Sequence, residues 1–258
     1  MTRRWLAALG LMLAIVVGSL GYVRFLGYFG GPLYTLVPAD VPAPPGRQGL
    51  VAVLLSGDMG FNTGMGPRIA KALAAEGLPV VGVNSLTYFA DRRSPTEAAA
   101  FVERAVGRAA AVPGARRILL IGQSFGANVA LVGVPRLSPA MRARLTAVDL
   151  VVPADTMTFR ATPGGVIDLG HDGPALPYAR ALTGLPVLCV HGAEEIDSLC
   201  PIWRASNVRS VALPGGHFLD YDAAAVARTL LEHDARVSNP IITESSDPGQ
   251  RAAISRRP

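Results

Sequence analysis

From residue 50 to residue 235 the chain alternates short apolar runs, rich in β-branched residues, with longer stretches whose apolar positions recur at helical spacing. LVAVLLSG (50–57), PVVGVNS (79–85), RRILLIG (116–122), LTAVDLVVP (145–153), PVLCVHG (186–192) and VRSVALPG (208–215) read as strands. GPRIAKALAAEG (66–77) and DAAAVARTLLEHDA (222–235) read as helices, and a further helix begins near Ser124. SPTEAAAFVERAVGRAAA (94–111) opens on Ser94, Pro95 and Glu97, the pattern of a capping box. Strands apolar along their whole length, joined by segments too long for hairpins, predict an α/β domain over 48–236: a mostly parallel sheet with helices on both faces. Residues 154–185 break the alternation with Gly, Pro and polar residues and are expected to overhang the strand ends.

The two ends of the chain carry different patterns. Arg3 and Arg4 precede residues 5–23, which hold no charge until Arg24. A helix of that length spans roughly 28 Å, close to the hydrocarbon thickness of a bilayer. The basic pair ahead of it places the remainder of the chain across the membrane. Gly18-Ser19-Leu20-Gly21 is a poor cleavage site, so 1–24 reads as an uncleaved inner-membrane anchor in preference to a signal sequence. Either way the domain is exported to the periplasm. Residues 25–47, dense in Gly and Pro, read as a linker, and 237–258, rich in Ser, Pro and Arg, as a disordered tail.

Composition changes this picture in two respects. The net charge of +5 comes almost wholly from arginines scattered through 258 residues without a run of five or six, which argues against nucleic acid as a partner and is compatible with an anionic lipid surface. Cys189 and Cys200 are the only cysteines; in an exported protein they are expected to form a disulfide. No metal-ligand spacing surrounds them.

Ligands of parallel sheets sit beyond the carboxyl ends of the strands, and three such loops carry matching chemistry. Gly122-Gln123-Ser124-Phe125-Gly126 is a G-x-S-x-G turn between a strand and a helix, the setting of a serine nucleophile with Oγ exposed. His217, in LPGGHF after the last strand, is the candidate base; His171, His191 and His233 are weaker candidates. The acid belongs in GAEEIDSLCP (192–201). Counting forward from Gly192 favours Glu195 and counting back from Pro201 favours Asp197. Asp197 is the preferred choice, with Glu194 left as a solvated charge. The order Ser, acid, His is that of α/β-hydrolases. The oxyanion hole is assigned to the amides of Phe125 and Met59. Asp58, Gly60 and Tyr88 are candidates for the substrate mouth, although Asp58 fits a loop cap equally well.

LLSGDMGF, LPVVGVNSLTYF, ILLIGQSFGANV, PVLCVHGAEEIDSLCP and LPGGHF, in that order, resemble the VirJ/AcvB type of bacterial virulence protein, a branch of the α/β-hydrolases. The chain departs from that pattern at Met59-Gly60-Phe61, where Gly and Trp are expected, and at Asn84, where Asp is expected. The resemblance implies a periplasm-facing serine esterase with no metal or organic cofactor. Its implied phospholipid substrate is aminoacyl-phosphatidylglycerol, cleaved at the aminoacyl ester. A general periplasmic esterase or lipase is an alternative, as is a non-catalytic assembly factor working with type IV secretion proteins.

Overall fold

The computed structural model describes residues 3–165 and 170–239. The first helix, α1 (Arg3–Leu26), leads to strand β1 (Tyr34–Val37), then β2 (Leu50–Leu55), α2 (Met65–Ala75) and β3 (Val80–Val83). A short helix α3 (Ser85–Phe89), the longer α4 (Pro95–Ala110), β4 (Arg117–Gln123) and α5 (Phe125–Gly133) follow. The chain continues through α6 (Pro139–Arg142), β5 (Leu145–Val151), α7 (Leu176–Arg180), β6 (Val187–Gly192), β7 (Val208–Leu213) and α8 (Ala223–Ser238).

The seven strands form one sheet in the order β1-β3-β2-β4-β5-β6-β7. All neighbours are parallel except β1, which runs antiparallel to β3 with Tyr34 opposite Val83. The sheet is covered on both sides, so alternate residues of β2 feed different cores. Val51, Val53 and Leu55 meet Phe101 and Val102 of α4 and Val129 of α5. Leu50, Ala52 and Leu54 meet Ile69 and Leu73 of α2 and Val226 and Leu230 of α8. Burial on both faces is the reason these strands read as continuous apolar runs and not as alternating ones. Helix α4 opens with the expected capping box: Ser94 Oγ accepts from the Glu97 amide, and the Glu97 carboxylate accepts from the Ser94 amide at 2.8 Å.

Two expectations need correction. The segment 25–47, read as a linker, contributes strand β1 to the sheet through its pairing with β3. Strand β1 escaped the sequence reading because it has four residues, an edge position and two exposed side chains. The strand read over 79–85 ends at Val83, and the SLTYF that follows is helix α3, capped by Asn84. The predicted tail from 240 onward lies outside the described residues, while Val237 and Ser238 complete α8.

Helix α1 is long and apolar enough to cross a membrane, and its large side chains, among them Trp5, Leu11 and Ile15, are exposed all around it. A signal sequence has the same character. Its last turn enters the domain. Leu26 is fully buried, its carbonyl accepts from Asn84 Nδ2 at 2.9 Å, and the Gly27 carbonyl accepts from Thr87 Oγ1 at 3.0 Å. Asn62 Nδ2 donates to the Phe25 carbonyl. Gly60, at φ 74°, lies so close that a Cβ there would stand 2.4 Å from the Leu26 carbonyl oxygen. Asn84 thus serves both directions: its Oδ1 accepts from the Thr87 amide at 3.2 Å while its Nδ2 holds α1. An aspartate could do only the first. Asn84→Asp is expected to set a carboxylate against the Leu26 carbonyl and to cost about 1–3 kcal/mol, measured by denaturant unfolding of the full chain.

Candidate active site

The carboxyl ends of β2, β4, β6 and β7 share one edge of the sheet, and each is followed by a loop carrying one part of the site. Strand β4 turns into α5 at Ser124, whose φ of 53° and ψ of −122° no ordinary L-residue prefers. The turn is held because the glycines permit close approach. A Cβ at Gly122 would stand 2.6 Å from Ala127 Cα, and one at Gly126 would stand 2.3 Å from the Leu55 carbonyl oxygen. Strain stored in this way lifts a side chain out of the backbone's own contacts.

Ser124 Oγ lies 2.9 Å from His217 Nε2. His217 Nδ1 lies 2.5 Å from Glu195 Oε1. An ionised carboxylate only accepts, so Nδ1 carries the proton and Nε2 is the acceptor for the serine hydroxyl. Glu195 is nearly buried and His217 partly open, with side-chain exposures of 7% and 39%. The second oxygen of Glu195 accepts from the Gly192 amide at 3.3 Å. The loops carrying Glu195 and His217 are pressed together. The Ala193 amide donates to the Leu213 carbonyl at 2.8 Å, and a Cβ at Gly192 would stand 2.3 Å from the Gly216 carbonyl oxygen.

The preference for Asp197 as the acid is therefore corrected to Glu195. Asp197 is exposed, and its backbone carbonyl, not its side chain, is engaged, accepting from the Asp155 amide at 2.9 Å. After the turn at Gly192, Glu195 comes round under the imidazole while Asp197 is carried past it. The disulfide between Cys189 of β6 and Cys200, with Cα atoms 5.5 Å apart, anchors the far end of this loop to its own strand.

A cavity of about 570 Å³ opens above Ser124. Its walls include Asp58, Met59, Arg68, Ser124, Gly164 and His217. Gly164 brings the chain that follows β5 to the edge of the cavity. Phe125 begins α5, where the first amides of a helix have no partner within it and carry partial positive charge. Met59 is less simply placed. It lies in the cavity wall beside Asp58, and the amides of both residues favour the ionised Asp58 carboxylate. Asp58 itself has a pKa raised above the usual carboxylate range, because burial outweighs the opposing pull of His217 and those two amides.

Gly60 also lines the cavity, but the approach of Leu26 is what requires a glycine there. Tyr88 is not part of this wall. Its ring stacks on Phe101 at 4.7 Å, with Arg93 over it at 4.8 Å, so its expected place in the mouth is corrected to a place in the α3–α4 aromatic cluster. Phe61, where the resembling family carries Trp, is buried against Gly82. His233 pairs with buried Asp149 at 2.7 Å, His191 sits in β6, and His171 lines a second recess beside Glu195 and Asp197.

Two supporting residues escaped the sequence reading. Gln123 Oε1 accepts from the Gly57 amide at 3.0 Å, tying the loop after β2 to the serine turn. Asn128 of α5 donates to the Ala154 and Thr156 carbonyls, each at 2.9 Å, and accepts from the Ala154 amide at 3.0 Å, fixing the chain as it leaves β5. Gln123 occupies a variable position of the motif, and Asn128 reads as one more small polar residue in an apolar helix. Among the described residues, no group of three or more His, Cys, Asp or Glu is placed to hold a metal ion.

The profile of a family described as bacterial virulence protein (VirJ) matches residues 49–237. Several solved structures share the architecture. Est1E from Butyrivibrio proteoclasticus, solved with ferulic acid bound, is 16% identical with a TM-score of 0.52, over 78% of this chain and 95% of its own. A proline iminopeptidase from Mycobacterium smegmatis is 14% identical with a TM-score of 0.51, over 78% and 95%. XC6422 from Xanthomonas campestris, an α/β serine hydrolase without a lid, is 18% identical with a TM-score of 0.51, over 80% and 91%. These likenesses establish the α/β-hydrolase fold. No protein with curated function matches the sequence significantly.

Glu195→Gln is expected to lower serine reactivity by about 10²–10⁴-fold, because the amide no longer steadies an imidazolium, while Asp197→Asn leaves it near wild type. The rate of fluorophosphonate labelling at Ser124 measures both. Replacing Cys189 and Cys200 together by Ala is expected to cost about 2–4 kcal/mol of stability, read as a lower midpoint in denaturant.

Proposed function

This chain belongs to the VirJ family of bacterial virulence proteins, and on that premise we propose that it is a membrane-anchored serine hydrolase cleaving the aminoacyl ester of aminoacyl-phosphatidylglycerol on the periplasmic face of the inner membrane. The observation that carries the reading is the continuous chain from Ser124 Oγ through His217 to Glu195, with links of 2.9 and 2.5 Å. Such a chain lets a neutral hydroxyl become a nucleophile as it attacks.

Ser124 Oγ adds to the aminoacyl carbonyl while His217 Nε2 takes the hydroxyl proton. The Phe125 amide faces the charge that develops on the carbonyl oxygen. The ester C–O bond then breaks, and the imidazolium returns its proton to the departing glycerol oxygen of the lipid. Water, deprotonated by His217, attacks the acyl-serine; the bond to Ser124 Oγ breaks, the imidazolium returns its proton to that oxygen, and the free amino acid leaves. Glu195 steadies the imidazolium at each protonated stage.

The lipid substrate and the periplasmic site are supported by three features. Helix α1 has the length and composition of a membrane span. Its last turn is bonded to the loop that forms one wall of the Ser124 cavity. The Cys189–Cys200 disulfide suits an oxidising compartment.

Purified full-length protein in detergent is expected to release lysine or alanine from the corresponding aminoacyl-phosphatidylglycerols, and Ser124→Ala to reduce that rate by at least about 10³-fold. Equal turnover of short p-nitrophenyl esters, with no preference for the lipid, would point to a broad esterase. Folded protein that neither turns over ester nor reacts with fluorophosphonate at Ser124 would replace the enzyme with an assembly factor.

A further inference from the structure

The cavity over Ser124 contains one carboxylate, that of Asp58, among its described lining residues. It shares the cavity wall with Ser124 and His217, and its neighbour Gly57 lies against the serine, where a Cβ would stand 3.3 Å from Ser124 Cβ. From the other side it is covered by Gly165, where a Cβ would lie 3.5 Å from Asp58 Oδ2. No Lys or Arg among the described residues reaches salt-bridge distance of it. Arg68, the one Arg in the same wall, is exposed and lies over the Tyr221 ring at 5.4 Å.

A negative charge in this position works against the proposed reaction. Charge builds up on the carbonyl oxygen as Ser124 attacks, and a nearby carboxylate raises the energy of that state unless a cation stands between them. The opposition disappears if the substrate itself supplies the cation. In an α-amino ester the ammonium nitrogen is about 2.5 Å from the carbonyl carbon, so it travels with the reacting group and arrives beside it.

We propose that Asp58 is the specificity-determining residue that binds the α-ammonium group of the acyl moiety, so that esters of amino acids are accepted and esters of uncharged acids are disfavoured. This inference rests on the serine hydrolase reading and narrows it to the acyl side of the scissile bond. The ammonium forms a charge-assisted hydrogen bond with a half-buried carboxylate that no Lys or Arg among the described residues reaches, and it adds to His217 in offsetting the charge the oxyanion would feel. The preference is directed at the α-position: the ε-ammonium of a lysyl group is too distant from the carbonyl to reach the same carboxylate in the same pose. Neutral side chains such as alanyl are therefore good substrates so long as the α-amine is free and protonated.

The test compares alanyl-phosphatidylglycerol with propionyl-phosphatidylglycerol, which differ only in the amine, using the full-length protein. The wild type is expected to favour the alanyl ester by about 10–100-fold in kcat/KM, the range of a hydrogen bond to a charged group. Asp58→Asn is expected to bring that ratio near one through a loss of alanyl turnover greater than any loss of propionyl turnover, and Asp58→Glu to restore part of the preference. A ratio unchanged in Asp58→Asn, or equal losses on both esters in a folded variant, would overturn the assignment and leave Asp58 a loop cap. Should Asp58→Asn not fold, N-acetylalanyl-phosphatidylglycerol tests the wild type directly. Acetylation is expected to reduce turnover at least 10-fold, and undiminished turnover would overturn the proposal. Failure of the wild type to cleave either ester would instead overturn the hydrolase reading beneath it.

Discussion

The closeness of helix α5 to strand β2 is the constraint on which the site depends. With no side chain at Gly122 or Gly126, the helix backbone sinks onto the carbonyls of Leu55 and Ser56. The turn between β4 and α5 must then be so abrupt that Ser124 takes a positive φ. That single compression lifts the hydroxyl, aims the first amides of α5 at the space above it, and brings Gly57 against Ser124. Larger residues at either glycine would separate α5 from the sheet and move nucleophile, amides and Asp58 loop apart together.

Around this fixed point the other components are held by short-range ties. Gln123 joins the loop after β2 to the serine turn, and Asn128 holds the chain leaving β5. The Glu195 and His217 loops touch through backbone groups, so the imidazole and its carboxylate are positioned by main chain rather than by long flexible side chains. The disulfide fixes the outer limb of the acid loop. The geometry resembles that expected of preorganised catalysis, in which alignment is established during folding and not during the reaction.

Strands β2 to β6 were legible because each is largely apolar, buried on both faces and punctuated by turn residues, while β7, an edge strand carrying Arg209 and Ser210, was marked by its β-branched residues and the Pro-Gly turn that follows. Ser124 and His217 were legible for a related reason: Ser124 follows directly on β4 and His217 comes only four residues after the end of β7, so each loop leaves it little freedom. The acid was not. Glu195 and Asp197 lie two apart in a loop whose course is set by contacts with the His217 loop, and no local pattern records those contacts. Tyr88 misled because an aromatic beside a strand end looks like part of a mouth, whereas Phe101 and Arg93, distant or polar in sequence, claim its ring. Strand β1 exists only through pairing with β3, and Asn84 reveals its purpose only when Leu26 is seen beside it.

The bonds from Asn84, Thr87 and Asn62 to residues 25–27 make the end of α1 a fixed joint and not a swivel. Torque applied to the apolar rod passes into the 57–62 wall of the cavity, so its opening keeps a constant height and heading relative to whatever medium holds the rod. A ligand restricted to a plane would then meet the opening by lateral diffusion, and its abundance per unit area, more than per unit volume, would govern how often the nucleophile is visited.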